Sequence, residues 1–406
     1  MTRAQAKAIF DEADQVFEAA HYQWIEPTKI PIRTWLCRPH YIGGFVSLTV
    51  APGGVGKSSL TMTEAIAMAS GKPLLGGKPA GPYRVFIVNL EDPMDELQRR
   101  AQAICLHFGV TQADLGDRLF VNSGRTQPMV LVTDEGRLAQ VNNNLIAEII
   151  ATIEENKINV LIVDPLVAAH NVPENDNSKM DLVVRAFNRI AEETGCAVML
   201  VHHLRKTGGE RGTVDDGRGA SSLLAAARSA RVINTMTKEE AQGANIEEHQ
   251  RRFYFRADLG KANLTPPAAV ADWYRLVSVH LENGAGADFG EGDHVGVVTA
   301  FAYPKAEKLK FAPHDIRRIL HLVASGGPWR EDLRSRREPW IGEAIAKGMM
   351  LDAASPLVRR GIVRVVNDWL AVDLLARVQK RDASRTARYY IEVGPAAADV
   401  EPRRSE

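Results

Sequence analysis

Cysteine is scarce in this chain. Only Cys37, Cys105 and Cys196 occur among 406 residues, too widely spaced for a metal-ligand pattern. They read as reduced thiols of an intracellular protein. Long apolar runs are also missing. No stretch approaches the roughly 18–20 apolar residues that a membrane-spanning helix needs. The N-terminal "MTRAQAKAIFDEADQVFEAA" is a mixed-charge amphipathic helix without the apolar core of a signal peptide. A net charge is absent too: 50 Lys and Arg balance 50 Asp and Glu, so only the distribution of charge bears on a polyanionic partner. No internal repeat and no low-complexity tract interrupts the pattern. A soluble, cytoplasmic protein is expected, long enough for two or three domains.

What is present is an alternation. Short apolar runs rich in Val, Ile and Leu fall at 45–50, 84–90, 159–164 and 197–203. Their nearly continuous apolarity is that of strands buried on both faces of a parallel sheet. Helical patterns lie between, over 57–70, 94–108, 137–156 and 178–194. Strand and helix in alternation predict an α/β layer with right-handed crossovers. Residues 1–25 read as a helical lead-in. Further strands are expected after 220, in "SARVINTM", "RRFYFRADLGKAN" and "WYRLVSVHL", followed by a Gly- and acid-rich loop over 282–293. Beyond 305, three short helical patterns and a basic hairpin-like tail outline a winged helix. The expected division is an N-terminal helix and connector (1–40), an α/β core (41–304), a basic winged-helix-like α+β domain (305–395) and a tail (396–406).

The stretch "TVAPGGVGKSSL" carries chemistry. A strand ending at Val50 runs through Gly53, Gly54, Val55, Gly56, Lys57, Ser58 and Ser59 into a helix. Small residues let successive backbone N–H groups wrap a phosphate, and the helix adds its N-terminal partial charge. Lys57 suits the β- and γ-phosphates of ATP, and the Ser58 hydroxyl suits Mg²⁺. The first motif position holds alanine, a variant of the usual glycine. "VLIVDP" offers Asp164 at a buried strand end as the second anchor of the metal's water shell. "VNLEDP" offers Glu91 to polarise the attacking water, with Asp92 expected to cap the next helix. "AVMLVHH" ends on His202 and His203, either of which could read the γ-phosphate.

A glutamate after the second strand, away from the Walker B aspartate, is a feature of RecA/DnaB-like ATPases. The chain resembles the RepA-type hexameric replicative helicases of broad-host-range plasmids and their phage relatives. "NLEDP", "VDPL", "VHHLRK", "GRGASSLLAAARSARVINTMT" and "RRFYFRADLGKANLTPP" carry the resemblance, over roughly 40–270. It implies a RecA-like P-loop core with a mainly parallel sheet, assembled as a homo-oligomeric ring, with ATP at subunit interfaces. It also implies an arginine finger from the neighbouring subunit. Arg228 fits that position better than Arg231, and Lys261 matches a second position that approaches the phosphates. The resemblance places the Gly-rich 204–222 loop at the ring centre, where Arg205, Lys206, Arg211 and Arg218 would hold single-stranded DNA without reading bases. Residues 170–180 are expected to form a second loop facing the pore or interface.

The small plasmid helicase lacks a C-terminal module of this size. Residues 305–390 carry 18 Lys and Arg against 10 Asp and Glu. That surplus fits duplex DNA or another acidic partner, with Arg359, Arg360, Arg381, Arg385 and Arg388 as candidate phosphate contacts. The expected function is an ATP-driven ring helicase on single-stranded DNA, serving a plasmid, phage or integrated element. A non-unwinding recombination or loading ATPase and an ATP-switched DNA-binding regulator are the alternatives.

Overall fold

The structure is a computed structural model that describes residues 19–136, 138–203, 212–213, 223–224, 227–264, 271–285, 290–304, 309–332, 338–382 and 385–399. Residues 1–34 form one unit and 35–406 another. In the first, the described residues 19–34 contain only a single 3₁₀ turn at Pro27–Lys29. The helix expected over 1–25 does not extend through 19–25, and its remainder lies outside the described residues.

The second unit opens with a short antiparallel pair, β1 (Trp35–Cys37) and β2 (Tyr41–Ile42). The sheet strands then follow as β3 (Val46–Ala51), β4 (Val85–Asn89) and β5 (Leu119–Ser123). A small satellite sheet is made by β6 (Val132–Asp134), β7 (Ala139–Val141) and, beyond β8 (Val160–Asp164), β9 (His170–Asn171). The main sheet continues with β10 (Ala197–His203), β11 (Ser229–Thr235), β12 (Tyr254–Ala262), β13 (Asp272–His280) and β14 (His294–Ala300). Its nine strands lie in the order β14-β13-β12-β11-β3-β10-β8-β4-β5. From β11 to β5 all neighbours are parallel, and β12 to β14 are antiparallel. The result is an α/β core with a large, mostly parallel sheet.

Helix α1 (Lys57–Ser70) follows β3, and α2 (Met94–Phe108) follows β4. Eleven of the 14 residues of α1 are buried. A helix apolar nearly all round needs cover on every side. The sheet supplies it by curling, so that β14, at the opposite end of the strand order from β5, packs against both α1 and α2. Val295 and Val297 of β14 join Ile66, Met68, Leu97 and Ile104 in one apolar cluster. The Ser59 hydroxyl donates to the Gly296 carbonyl (2.9 Å) and accepts from the Val298 N–H (3.2 Å), pinning α1 to β14. The opposite face of the sheet is covered by α4 (Asn143–Glu155) and α5 (Asn177–Thr194), with the short α3 (Gln112–Leu115) before β5.

Several expectations are corrected by length. The helix expected over 137–156 starts only at Asn143, whose Asn142 cap accepts from the Leu145 N–H. Residues 139–141 instead pair with β6. Strands β5 and β14 have no counterpart in the sequence reading, because "LFVNS" and "HVGVVTA" are short and interrupted by polar residues or glycine.

α6 (Lys238–Ala244) is followed, towards the C-terminus, by α7 (Pro313–Ser325), α8 (Ile341–Met349) and α9 (Pro356–Ala371). With them go β15 (Trp329–Arg330), β16 (Leu375–Arg381) and β17 (Ala387–Val393) in a three-stranded sheet of winged-helix character. Ile319, Trp340, Ile345, Ile362, Trp369 and Ile391 build a cluster of their own.

A polar knot lies where β2 enters the sheet. His40 is buried, with Nδ1 2.8 Å from the Ser229 hydroxyl and Nε2 3.1 Å from that of Thr49. Burial and the nearby Arg231 push its pKa well below the ordinary value, so it folds neutral. The unfolded chain therefore binds more protons below the ordinary histidine pKa of about 6.5. Stability should fall as pH drops through that value, by at most about 1.4 kcal/mol per pH unit for this group. Urea unfolding between pH 7.5 and 5 measures the slope, and His40→Gln should flatten it.

Candidate nucleotide site

The loop between β3 and α1 is built for an anion. Gly56 caps α1 in a left-handed conformation (φ 93°) with no side-chain cap, so the first-turn N–H groups stay open. Gly54 is also left-handed (φ 78°). A Cβ on Gly56 would come within 3.3 Å of Leu276 on β13, so the loop is backed closely by the curled sheet. A Cβ at Gly53 or Gly54 would meet nothing within 4 Å, as expected of an open cradle. Val55 turns inward onto Phe255, Tyr274 and Val298.

Parallel register brings the other groups to the same edge. His203 lies opposite Ala51, and Asn89 opposite Asp164. Lys57 Nζ is 3.5 Å from His203 Nδ1, and His203 Nε2 is 4.0 Å from a Glu91 oxygen. Glu91 is more than half exposed at the mouth. The Ser58 hydroxyl hydrogen-bonds Asp164, whose carboxyl burial lifts above the usual carboxylate range against the pull of Ser58 and Lys57. Asp164 Oδ2 is buried without a hydrogen-bond partner among the described residues. An uncompensated buried carboxylate oxygen is costly. A hydrated divalent cation beside Ser58 would satisfy it. Among the described residues, no group of three His, Cys, Asp or Glu could hold an ion unaided. The site therefore fits Mg²⁺, which keeps its waters and leans on phosphate oxygens.

Strand alternation separates the two histidines. His203 faces Lys57. His202 is fully buried and points the other way, its Nε2 3.7 Å from Glu174 in the loop after β9. The phosphate-reading role open to either histidine is thus geometrically available only to His203. The Ser59 hydroxyl is held by β14 and is not available to the cradle. Asp92 does not cap α2, whose N-cap is Pro93 without a side-chain bond. It pairs with Arg100 at 2.6 Å. A residue missed by sequence reading does the positioning: Asn89 Oδ1 accepts the N–H groups of both Glu91 and Asp92 (3.1 and 2.8 Å). The asparagine two residues before the acid was the available signal, since Asn favours such turns.

Arg228 and Lys261 stand elsewhere. The Arg228 N–H donates to the Val46 carbonyl, at the start of β3, and its exposed guanidinium lies 5.7 Å from the Phe45 ring. Lys261 pairs in register with Ala230, and its ammonium donates to the Leu224 carbonyl. Burial and the adjacent Arg228 both lower its pKa. The length of β3 separates Arg228 from the P-loop of its own chain, about 17 Å at 3.3 Å per residue, whereas Lys261 lies level with Leu48 in the middle of β3.

Arg231 is committed inside the subunit. Its guanidinium forks onto Glu64 of α1 (2.6 and 2.7 Å), and its Nε donates to Thr49. The Tyr41 hydroxyl donates to the same carboxylate at 2.7 Å. Arg231 cannot double as a finger without breaking this pair. Arg205, Lys206, Arg211 and Arg218 lie outside the described residues. The 204–222 loop is nonetheless anchored at Gly212, whose N–H and C=O both bond the Asn234 amide of β11 (2.9 and 3.0 Å).

A phosphate cradle, an aspartate, a glutamate and a histidine on the C-terminal edge of the parallel strands define a P-loop nucleotide-binding site. Residues 14–209 match the AAA domain family, which supports an ATPase. The crystal structure of a KaiC-like protein from the hyperthermophilic archaeon Pyrococcus horikoshii is similar in fold. The identity is 13%, over 66% of this chain and 94% of that one, with a TM-score of 0.41.

Arg231 and Glu64 are a buried pair, so removing one partner strands a charge. Arg231→Met should cost about 3–5 kcal/mol, and Arg231→Met with Glu64→Leu should recover much of it. Chemical denaturation of the three proteins checks this.

Proposed function

We propose that this chain is an ATP hydrolase working as a homo-oligomeric ring on single-stranded DNA, a helicase or translocase for a plasmid, phage or integrated element. One observation carries the reading: Arg228 sits at the opposite end of β3 from the P-loop, its N–H bonded to the Val46 carbonyl. The exposed Arg228 guanidinium at that end cannot reach its own nucleotide and is placed to face a neighbour's. Arginine suits such a role because its charge is permanent and its fork matches phosphate oxygens. That no helix among the described residues is long and apolar enough to cross a membrane is compatible with this setting.

In this proposal the open N–H groups of Gly54 to Ser58 hold the β-phosphate, and Lys57 neutralises the γ-phosphate. Ser58 and Asp164 would hold a hydrated Mg²⁺, which would supply neutralisation of phosphate charge. Glu91, held by the Asn89 turn, orients and polarises the attacking water. His203 lies between Lys57 and Glu91 and senses whether the γ-phosphate is present. The neighbour's Arg228 stabilises the charge that builds during transfer, the kind of contribution that arginine fingers make at about 10³–10⁵ in rate. Because β10 ends at His203 and leads directly into the 204–222 loop, loss of the γ-phosphate would shift a loop carrying Arg205, Lys206, Arg211 and Arg218 against the DNA strand.

Mixing tests the shared site. Lys57→Ala and Arg228→Ala should each lose turnover by at least about 10²-fold. Combined, they should regain activity, because some interfaces then pair an intact P-loop with an intact arginine. Arg228→Ala at wild-type turnover, or no recovery on mixing, would sink the shared-site reading. Glu91→Gln should keep ATP affinity and slow hydrolysis by about 10²–10⁴-fold, measured in single turnover. On a forked substrate, ATP-dependent strand release distinguishes unwinding from a loading ATPase that hydrolyses without release. Turnover indifferent to single-stranded DNA would favour the regulator.

A further inference from the structure

In helix-turn-helix proteins, the N-terminal residues of the recognition helix enter the DNA groove. Here α9 is the third helix of the C-terminal module, and its N-terminal half is already occupied. Arg360 donates to the Tyr303 hydroxyl (2.8 Å) and to the Gly243 carbonyl of α6. Its guanidinium also covers the Tyr303 ring at 5.2 Å. Tyr303 in turn stacks on Trp273 of β13, with ring centres 4.5 Å apart, and Arg256 covers Trp273 from its own side at 5.3 Å. Arg359 is spent on the Ala353 carbonyl (2.6 Å). Two of the five arginines expected to meet phosphate are therefore engaged within the chain, and α9 presents its leading end to the protein's own core.

The β16–β17 hairpin is in the opposite situation. Its inner half packs on Ile362 and Trp369 through Leu375 and Ile391. Past Val378 and Tyr390 it leaves that core. Every described residue from Gln379 to Tyr389 is exposed except Asp382, which is half-buried. A ribbon this exposed adds little to the module's apolar core. Its outer segment, 380–389, nevertheless holds Lys380, Arg381, Arg385 and Arg388 against the single acid Asp382. Lys380 pairs with Glu392, and Arg388 lies 3.6 Å from Asp382. Among the described residues, no carboxylate lies within ion-pair distance of Arg381 or Arg385. Arg385 sits at the turn in a left-handed conformation (φ 62°), next to the tight Asp382–Thr386 closure that shapes the tip.

We propose that this hairpin is a duplex-DNA contact, gripping the phosphate backbone through Arg381, Arg385, Arg388 and Lys380 while α9 stays docked on the core. A two-stranded ribbon is narrow enough for the major groove, about 12 Å wide. The segment lacks the Asn or Gln side chains that read adenine, apart from Gln379 at its base, so the contact is largely sequence-neutral. The hairpin contact is independent of the ring reading, because it needs neither nucleotide nor a neighbour.

The test uses the full chain without nucleotide and a labelled, blunt-ended 20-base-pair duplex, read by fluorescence anisotropy across salt. Four phosphate contacts predict a log–log salt slope near −3.6, about −0.9 per contact. Arg381→Gln with Arg385→Gln should weaken binding at least tenfold and lower the slope's magnitude by about 2. Both positions are exposed, so the unfolding midpoint should stay within about 2 °C of wild type. Arg360→Gln should bind duplex no more weakly than wild type. Wild-type affinity in the double hairpin variant would overturn the proposal. So would loss of binding in Arg360→Gln alone, or displacement of the duplex by an equal quantity of unlabelled single strand. A chain that binds no duplex at low salt would leave the hairpin to an acidic protein and refute the proposal outright.

Discussion

Everything functional in the core depends on one helix being fully enclosed. α1 carries Lys57 and Ser58 at its N-terminus and is buried along nearly its whole length. A polar sheath would leave such a helix free to shift. Here the sheet curls round until β14 touches both α1 and α2, and Ser59 ties α1 to the β14 backbone through two hydrogen bonds. The open N–H groups of the first turn are thereby held at a set distance from the ends of β10, β8 and β4. A phosphate cradle is useful only if its dipoles are aimed beforehand, and the apolar packing around α1 is what aims them.

The same enclosure explains why the two arginines of "AAARSAR" have such different surroundings. β11 is a parallel neighbour of β3, so alternate side chains from it meet α1 or the opposite layer. Arg231 falls on the α1 side and is matched there by Glu64, Thr49 and Tyr41. Arg228 falls before the strand begins, where the sheet edge meets solvent. Three residues apart in sequence, one is a buried tie and the other an exposed cation. A comparable split runs through His202 and His203: adjacent residues on one strand take opposite faces, and only His203 meets Lys57.

The C-terminal module joins the core through stacked side chains. Arg360 and Arg256 cap the outer faces of the stacked Tyr303 and Trp273 rings. Each of the two cation–ring contacts is worth of the order of 1 kcal/mol or more when partly desolvated. Because Tyr303 also donates to the Glu240 carbonyl of α6, the module is tied to the antiparallel end of the sheet. Its basic hairpin is left projecting.

The sequence alone determined the local chemistry: a strand, a glycine loop and an apolar helix in immediate succession, and carboxylates at the ends of buried strands. Those features are short-range, because backbone conformation and strand burial are set by neighbours within a few residues. The main parallel strands, α1, α2 and α5 were legible for the same reason. What the tertiary structure decided was orientation and pairing: which histidine meets Lys57, that Asp92 serves Arg100 and leaves α2 uncapped, that Ser59 belongs to β14, and that Arg231 and Arg360 are spent inside the chain. These depend on register and on the curl of a nine-stranded sheet. A one-residue change of register reverses every side chain, and no local pattern records which partner a distant strand will bring.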